Sequence, residues 1–132
     1  GTVKKYPIGT VAKVDHKSRH YYFVAINDVN RNGKPENQGY ANVDIALSGL
    51  IQAINKIGHC DDLAMPLIGT GRAAIREATI EKVVEKTVDR FLMSTDKICR
   101  ELIICVRPKD YLEGKADLKK IQRYIDYKCE FK

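Results

Sequence analysis

Apolar residues recur at helical spacing in three stretches of the chain, and these stretches predict three helices. The first helix begins at Asn42 as its N-cap and ends at Gly58, a residue type that commonly terminates helices. The second follows a helix-like pattern over residues 77–91, which Thr79 can cap, and the third covers residues 118–127. The positions predicted to face inward are Val43, Ala46, Leu47, Leu50, Ile51, Ile54, Val83, Val84, Thr87, Val88, Phe91, Leu92, Leu118, Ile121 and Ile125.

Other stretches have the composition and alternation of β-strands. Residues 10–14 and 21–27 flank a polar turn and predict a hairpin at one end of a sheet. Both faces of the second strand are apolar, so we expect it to be covered on both sides. Residues 63–68 and 102–106 are apolar runs that favour buried strands, the latter central and parallel. Residues 129–131 fit a terminal edge strand.

The order of these elements predicts an α/β sandwich around a mostly parallel sheet, because strands alternate with helices after the hairpin. Ligands bind such sheets at the carboxyl ends of the strands. Three loops are therefore expected to meet there, and they begin at Asn27, Gly69 and Arg107. The first is a long polar loop up to residue 39, and loops of that length are often functional.

The segment from Met65 to Ile75 carries the strongest chemical signal. An apolar run enters a Gly-Thr-Gly turn at Gly69, and a helix-like pattern follows. Glycine lets the backbone approach an anion closely, and amides at a helix start lack intrahelical partners. With Arg72 beside them, unpaired amides over residues 69–72 predict a cradle for two linked phosphates. A tight strand-to-helix connection without a ligand is the alternative interpretation.

This turn differs from the best-known nucleotide motifs. It lacks the lysine of a Walker loop, and Ala74 occupies the place of the third glycine in a dinucleotide fingerprint. The cysteines form no Cys-x-x-Cys pair and the histidines form no close pair, so no metal site is expected. The thiols are taken as reduced.

The composition is that of one globular domain spanning residues 1–132. No apolar run approaches a membrane span, and no signal peptide is visible. Gly1 in place of methionine suggests a piece of a longer protein. The net charge of +6 favours anionic partners, but the lysines are interspersed with acids, so a solvated surface is favoured over nucleic-acid binding.

The same residues resemble a known family. Residues 64–71 (Ala-Met-Pro-Leu-Ile-Gly-Thr-Gly) resemble the second phosphate-binding loop of macro domains, which recognise ADP-ribose. Residues 22–30 resemble the family's strand that ends in asparagine, and residues 102–106 resemble its late apolar strand. More narrowly, segments 7–10, 25–28, 32–37 and 108–110 resemble the macro-like sensor domain of bacterial Thoeris antiphage effectors. That narrower resemblance covers nearly the whole chain.

The resemblance implies a macro domain-like three-layer sandwich, with a mixed, mostly parallel central sheet and helices on both faces. It implies a sensor, with no cofactor and no catalytic residue, for an ADP-ribose derivative that a TIR-domain enzyme makes from NAD. Such a ligand would activate an effector through a membrane segment outside this chain, which implies a cytoplasmic domain of a protein at the inner membrane. Homo-oligomerisation is left open, and an ADP-ribosyl hydrolase is the alternative function.

The resemblance also implies where the ligand lies. Gly69, Thr70, Gly71 and Arg72 would surround the diphosphate and distal ribose, and the Asn27 segment would line the opposite side. Asp28 has a second interpretation as a turn cap, and Arg72 has one as a solvated loop side chain. The candidate ligand-binding residues are Ile26, Asn27, Asp28, Val29, Asn30, Gly69, Thr70, Gly71, Arg72, Ala73, Ile75 and Arg107.

Two departures from typical macro domains bear on the chemistry. The first loop is rich in asparagine where those domains have a run of glycines, and Ala73-Ala74-Ile75 replaces an aromatic segment in the second. Ile75 can cover a ribose but cannot stack as phenylalanine does. These departures imply a ligand other than plain ADP-ribose and argue against hydrolysis.

Overall fold

The computed structural model describes residues 6–26, 28–29, 32, 35–36, 39–58, 60–70, 79–94 and 96–130. Its elements, in chain order, are β1 (Val11–His16), β2 (Arg19–Val24), β3 (Asp28–Val29), β4 (Pro35–Glu36), α1 (Ala41–Ile57), β5 (Leu63–Pro66), α2 (Ile80–Met93), β6 (Leu102–Cys105), α3 (Pro108–Leu112) and α4 (Leu118–Glu130).

Strands β1 and β2 form the predicted antiparallel hairpin, with Val11 opposite Val24 and His16 opposite Arg19. Lys17 and Ser18 connect them with positive φ angles of 49° and 67°, the left-handed pair that matches the twist of a two-residue hairpin. The expectation that β2 is covered on both faces is wrong. Tyr21 and Phe23 on its outer face are 42% and 62% exposed.

Helices α1 and α2 supply most of the core. Each places a stripe of apolar side chains against the other, as their spacing predicts, and Thr79 caps α2 by accepting a hydrogen bond from the Lys82 amide at 3.3 Å. Gly58 ends α1, and its amide donates to the Ile54 carbonyl at 2.8 Å. The largest side chains without solvent contact are Leu47, Val43, Val83, Val84 and Thr87.

Two predicted boundaries are wrong. Asn42 is not the N-cap of α1, because Tyr40 occupies that position without a side-chain cap and Asn42 already lies within the helix. The edge strand predicted at residues 129–131 is also wrong for its first two residues. Cys129 lies in α4, which continues to Glu130. The short helix α3 was not predicted.

The described strands form three two-stranded sheets, of which β5–β6 is parallel and the other two are antiparallel. The parallel pairing of the two apolar runs is confirmed, with Leu63 opposite Leu102 and Pro66 opposite Cys105. Complete burial of β6 is not confirmed, because Ile103 is 44% exposed. The α/β composition is therefore confirmed, whereas the three-layer sandwich with one central sheet is not.

None of the helices within the described ranges is both long and apolar enough to cross a membrane.

A glycine pair sets how closely α1 approaches the segment before β1. A Cβ atom on Gly49 of α1 would lie 2.1 Å from the carbonyl oxygen of Gly9, and Gly9 itself has a φ of +90°. Since neither position leaves room for a side chain, this contact fixes the hairpin against the helix.

An ion pair joins α1 to α2 near their surface. The Arg90 guanidinium donates from Nε to one oxygen of Asp44 at 2.6 Å and from Nη2 to the other. Lys86 lies 3.9 Å from the same carboxylate. The hydrogen bonds from Arg90, and then the neighbouring charges, hold the pKa of Asp44 below its ordinary value of 3.8.

Gly49→Ala is expected to destabilise the protein by about 1–3 kcal/mol, because the added methyl group meets backbone that cannot move aside cheaply. Chemical denaturation of the variant measures this loss. Gly39→Ala is the matched control, since no atom lies within 4 Å of its Cβ position, and its stability should stay within about 0.5 kcal/mol of the wild type. Equal stabilities of the two variants would contradict the close approach.

Asp44→Asn is expected to reduce stability by about 1 kcal/mol or less at neutral pH, the range of half-exposed ion pairs. A lowered pKa means that the stabilisation is present above the ordinary value of 3.8 and is lost as the pH falls below it. The melting temperatures of wild type and variant should therefore converge between about pH 4 and pH 2. A difference that stays constant over this range would rule out the ion pair as its cause.

Candidate ligand-binding site

The turn after β5 is shaped by Gly69 and closed by Thr70. Gly69 has a φ of +88°, in the left-handed region that favours glycine, and it is buried. The Thr70 amide donates to the Leu67 carbonyl at 3.3 Å, and the Thr70 hydroxyl donates to the same oxygen at 2.8 Å. The expectation that the amides of this turn are unpaired is therefore wrong for Thr70. Its hydrogen bonds hold the turn in shape.

Arg107 lies at the carboxyl end of β6, next to this turn. It is the N-cap residue of α3, where Pro108 occupies the first helical position, which its fixed φ angle suits. Its Nη2 atom lies 3.4 Å from the Thr70 carbonyl oxygen and donates to it. The side chain thus links the ends of the two parallel strands.

Asp110 holds the Arg107 side chain in place. The guanidinium donates from Nε at 2.8 Å and from Nη2 at 3.1 Å to the two carboxylate oxygens. The Asp110 side chain is 5% exposed, whereas that of Arg107 is 57% exposed. The hydrogen bonds from Arg107 lower the pKa of Asp110, and those to Asp110 raise the pKa of Arg107, so both groups are charged.

The Nη1 atom of Arg107 faces no acceptor within the part of the chain that the structure describes. A guanidinium group has five N–H donors, and two of them belong to this nitrogen. The geometry therefore presents a fixed cation with two donors that remain available to a ligand.

A cavity of about 260 Å³ lies between these groups. Its wall is largely apolar and includes the last residues of β2, and the Arg107–Asp110 pair supplies charge at one side. The lining residues are Val24, Ile26, Pro66, Leu67, Ile68, Gly69, Thr70, Cys105, Arg107 and Asp110.

The structure thus brings together the predicted site residues whose side chains it describes, namely Ile26, Gly69, Thr70 and Arg107. Asp28 and Val29 form β3, but only their backbone is described. The remaining predicted residues, Asn27, Asn30, Gly71, Arg72, Ala73 and Ile75, lie outside the described residues.

Asp110 is a site residue that sequence reasoning did not identify. Its spacing of three residues from Arg107, across a proline that begins a helix, is a weak signal for an ion pair within one turn. Cys105 also lines the cavity. It was not predicted, because it reaches the cavity only through its place at the end of β6.

Two larger depressions lie elsewhere. One of about 600 Å³ surrounds the amino ends of β5 and β6, and one of about 680 Å³ lies between α2, β6 and α4. The smaller cavity is the candidate ligand site, because it lies at the carboxyl ends of the parallel strands and combines a glycine turn with an available cation. Among the residues described, no cluster of three or more His, Cys, Asp or Glu side chains can hold a metal ion.

Comparison with known proteins supports the resemblance that the sequence showed. No curated protein and no solved structure matched the chain. A family model described as the macro domain of the Thoeris protein ThsA matches residues 1–107, which include β1 to β6 and Arg107. Because this match covers most of the 132 residues, the chain belongs to the family of Thoeris ThsA macro domains.

Proposed function

We propose that this domain is a sensor that binds an ADP-ribose-derived nucleotide in the cavity between the Gly69 turn and Arg107. The signal would be the product of a TIR-domain enzyme, and its binding would activate an antiphage effector. Membership of the Thoeris ThsA macro-domain family supports the ligand class. One observation carries the assignment to this cavity. The Nη1 atom of the Arg107 guanidinium donates to no acceptor among the described residues.

The donors that remain on Nη1 of Arg107 suit a phosphate group. Arginine recognises phosphate through paired N–H donors, and it does so best when its orientation is fixed in advance. Asp110 supplies that orientation while leaving Nη1 available. Arg72 is proposed as a second cation, since it follows Thr70 by two residues in the chain.

The apolar wall suits the less polar parts of a nucleotide. The apolar residues Val24, Ile26, Leu67 and Ile68 line the cavity together with the ion pair. A sugar or base placed there would displace water from apolar surface, which is the main favourable term of most ligand sites.

The size of the cavity indicates that the ligand reaches beyond it. Its volume of about 260 Å³ is slightly below the range of about 300–1,000 Å³ that is typical of small-molecule sites. A dinucleotide-sized ligand would therefore also contact the chain that continues from Thr70 and from Ile26. The predicted contacts of Gly71, Ala73 and Ile75 on one side, and of Asn27, Asp28 and Asn30 on the other, belong to this proposal.

Activation is proposed to follow from a shift in a conformational equilibrium. A ligand can shift an equilibrium only by the difference between its affinities for the two states. Arg107 begins α3 while it contacts the Gly69 turn, so a ligand that engages Arg107 has a direct connection to α3.

The TIR-domain enzyme needs no contact with this domain. A cytoplasmic location, a membrane segment outside the chain and any homo-oligomer also stay predictions.

Isothermal titration calorimetry with ADP-ribose, cyclic ADP-ribose and amino-acid conjugates of ADP-ribose tests this function. We expect a micromolar Kd for at least one of them, which corresponds to about −8 kcal/mol. Arg107→Ala should weaken binding by roughly 10- to 100-fold, because it removes charge-assisted hydrogen bonds to phosphate. Arg107→Lys should restore only part of the affinity, since the three donors of an ammonium group cannot serve Asp110, Thr70 and a phosphate as the guanidinium does.

The matched control for these variants is Arg100→Ala. Arg100 forms the same kind of two-bond pair, with Asp62, but at the opposite ends of the strands. Its replacement should leave the Kd unchanged. Absence of heat with every ligand would overturn the sensor function, and equal losses in the Arg107 and Arg100 variants would overturn the assignment to this cavity. Turnover of a conjugate would favour the hydrolase alternative.

Gly69→Ala is expected to cost about 1–2 kcal/mol of stability, because it forces a side chain into the left-handed region, and also to weaken nucleotide binding. Gly114→Ala provides a control with a similar φ of +75° and nothing within 4 Å of its Cβ position, in a turn that does not line the cavity. We expect both variants to lose stability by comparable amounts in denaturation experiments. Only Gly69→Ala should raise the Kd, and an equal Kd in both variants would contradict the proposed role of the turn.

A further inference from the structure

Two cysteines lie in the neighbouring segments that lead into the parallel pair. The register of β5 and β6 places Leu63 opposite Leu102. Toward the amino ends, the Leu63 amide donates to the Glu101 carbonyl at 2.8 Å. The Arg100 amide donates to the Asp61 carbonyl at 3.1 Å, so the register shifts by one residue while the two segments stay hydrogen-bonded. One residue further back in each segment stand Cys60 and Cys99.

These hydrogen bonds keep the two segments side by side up to the residues next to the cysteines. Neighbouring strands lie about 4.7–4.9 Å apart, and disulfides join residues whose Cα atoms are about 4.4–6.8 Å apart. Both cysteines line the same depression of about 600 Å³. The Cys60 thiol donates to the Lys97 carbonyl, with its Sγ 3.6 Å from that oxygen, so it points toward the segment that carries Cys99.

Two side-chain contacts keep the two segments together. Arg100 donates to the two oxygens of Asp62 at 2.8 and 2.6 Å. Asn55, near the end of α1, donates to Asp96 at 3.1 Å. The segments that carry the cysteines are therefore held together by contacts that do not involve the sulfur atoms.

We propose that Cys60 and Cys99 form an intramolecular disulfide when the protein meets a hydroperoxide. In the first step, a Cys60 sulfur lone pair attacks the peroxide oxygen, the O–O bond breaks, and the products are a sulfenic acid and water or an alcohol. In the second step, the Cys99 sulfur attacks the Cys60 sulfur and displaces its hydroxyl group, which leaves as water with the Cys99 proton. The two thiols lose two electrons and the peroxide gains them. This property is independent of nucleotide binding.

The two thiols differ in exposure and in pKa, and these differences set the order of the two steps. Cys60 is exposed and is accessible to the oxidant, whereas Cys99 is half-buried. Burial raises the pKa of Cys99, and the nearby charge of Asp62 raises it further. The exposed thiol of Cys60 therefore reacts first, and Cys99, which has less thiolate, is the slower second nucleophile.

Peptide mapping of the full chain after treatment with hydrogen peroxide, under non-reducing conditions, tests the proposal. The expected product is a monomer that has lost two hydrogen atoms and contains a linked Cys60–Cys99 peptide pair. The crosslink closes a loop of about 40 residues, so the melting temperature should rise by roughly 5–15 °C and return after reduction.

Serine variants assign the crosslink to these residues. Cys60→Ser and Cys99→Ser should each abolish the two-hydrogen loss and the rise in melting temperature. Cys105→Ser and Cys129→Ser, which replace the other two free thiols, should retain both. The proposal would be overturned by disulfides between molecules, by a different intramolecular pair, or by over-oxidation of Cys60 with Cys99 unreacted in the wild-type chain.

Discussion

The parallel pairing of β5 with β6 is the constraint on which the arrangement of this domain depends. Because the strands run in the same direction, the Gly69 turn and the start of α3 emerge side by side, and Arg107 can reach the Thr70 carbonyl at 3.4 Å. The segments that carry Cys60 and Cys99 lie side by side at the other end. The α1–α2 core, in which Leu47 and Val83 have no solvent contact, supports this pair.

Much of the fold could be predicted from the sequence because the signals are local. The apolar stripe of α1, the Thr79 cap of α2 and the polar turn of the hairpin each act within a few residues, and the structure contains all three. Burial was harder to predict. Phe23 and Ile103 are exposed although their strands are apolar, because apolar residues also contribute much of a protein's surface. The end of α4 was missed because its mainly polar last turn resembles a strand as readily as a helix.

The candidate site could be predicted in part. Strand order alone predicted that the loops beginning at Asn27, Gly69 and Arg107 meet at one edge. The structure places Gly69 and Arg107 around one cavity together with Ile26, whereas Asn27 lies outside the described residues. Two details depend on tertiary geometry and could not be read from the chain. The Thr70 amide is used to close its own turn. The buried carboxylate of Asp110 binds Arg107 only because Pro108 begins a helix between them.

The ion pair between Arg107 and Asp110 also separates the capture of a ligand from its recognition. A cation beside a carboxylate at 2.8 Å acts at long range as a dipole, whose field decays faster with distance than that of a single charge. Distant attraction of an anionic nucleotide therefore comes from the net charge of +6 spread over the chain, which salt screens. Discrimination among anions that have reached the cavity comes from the donors of the Arg107 guanidinium. At contact distance, dissolved salt has little influence on these hydrogen bonds.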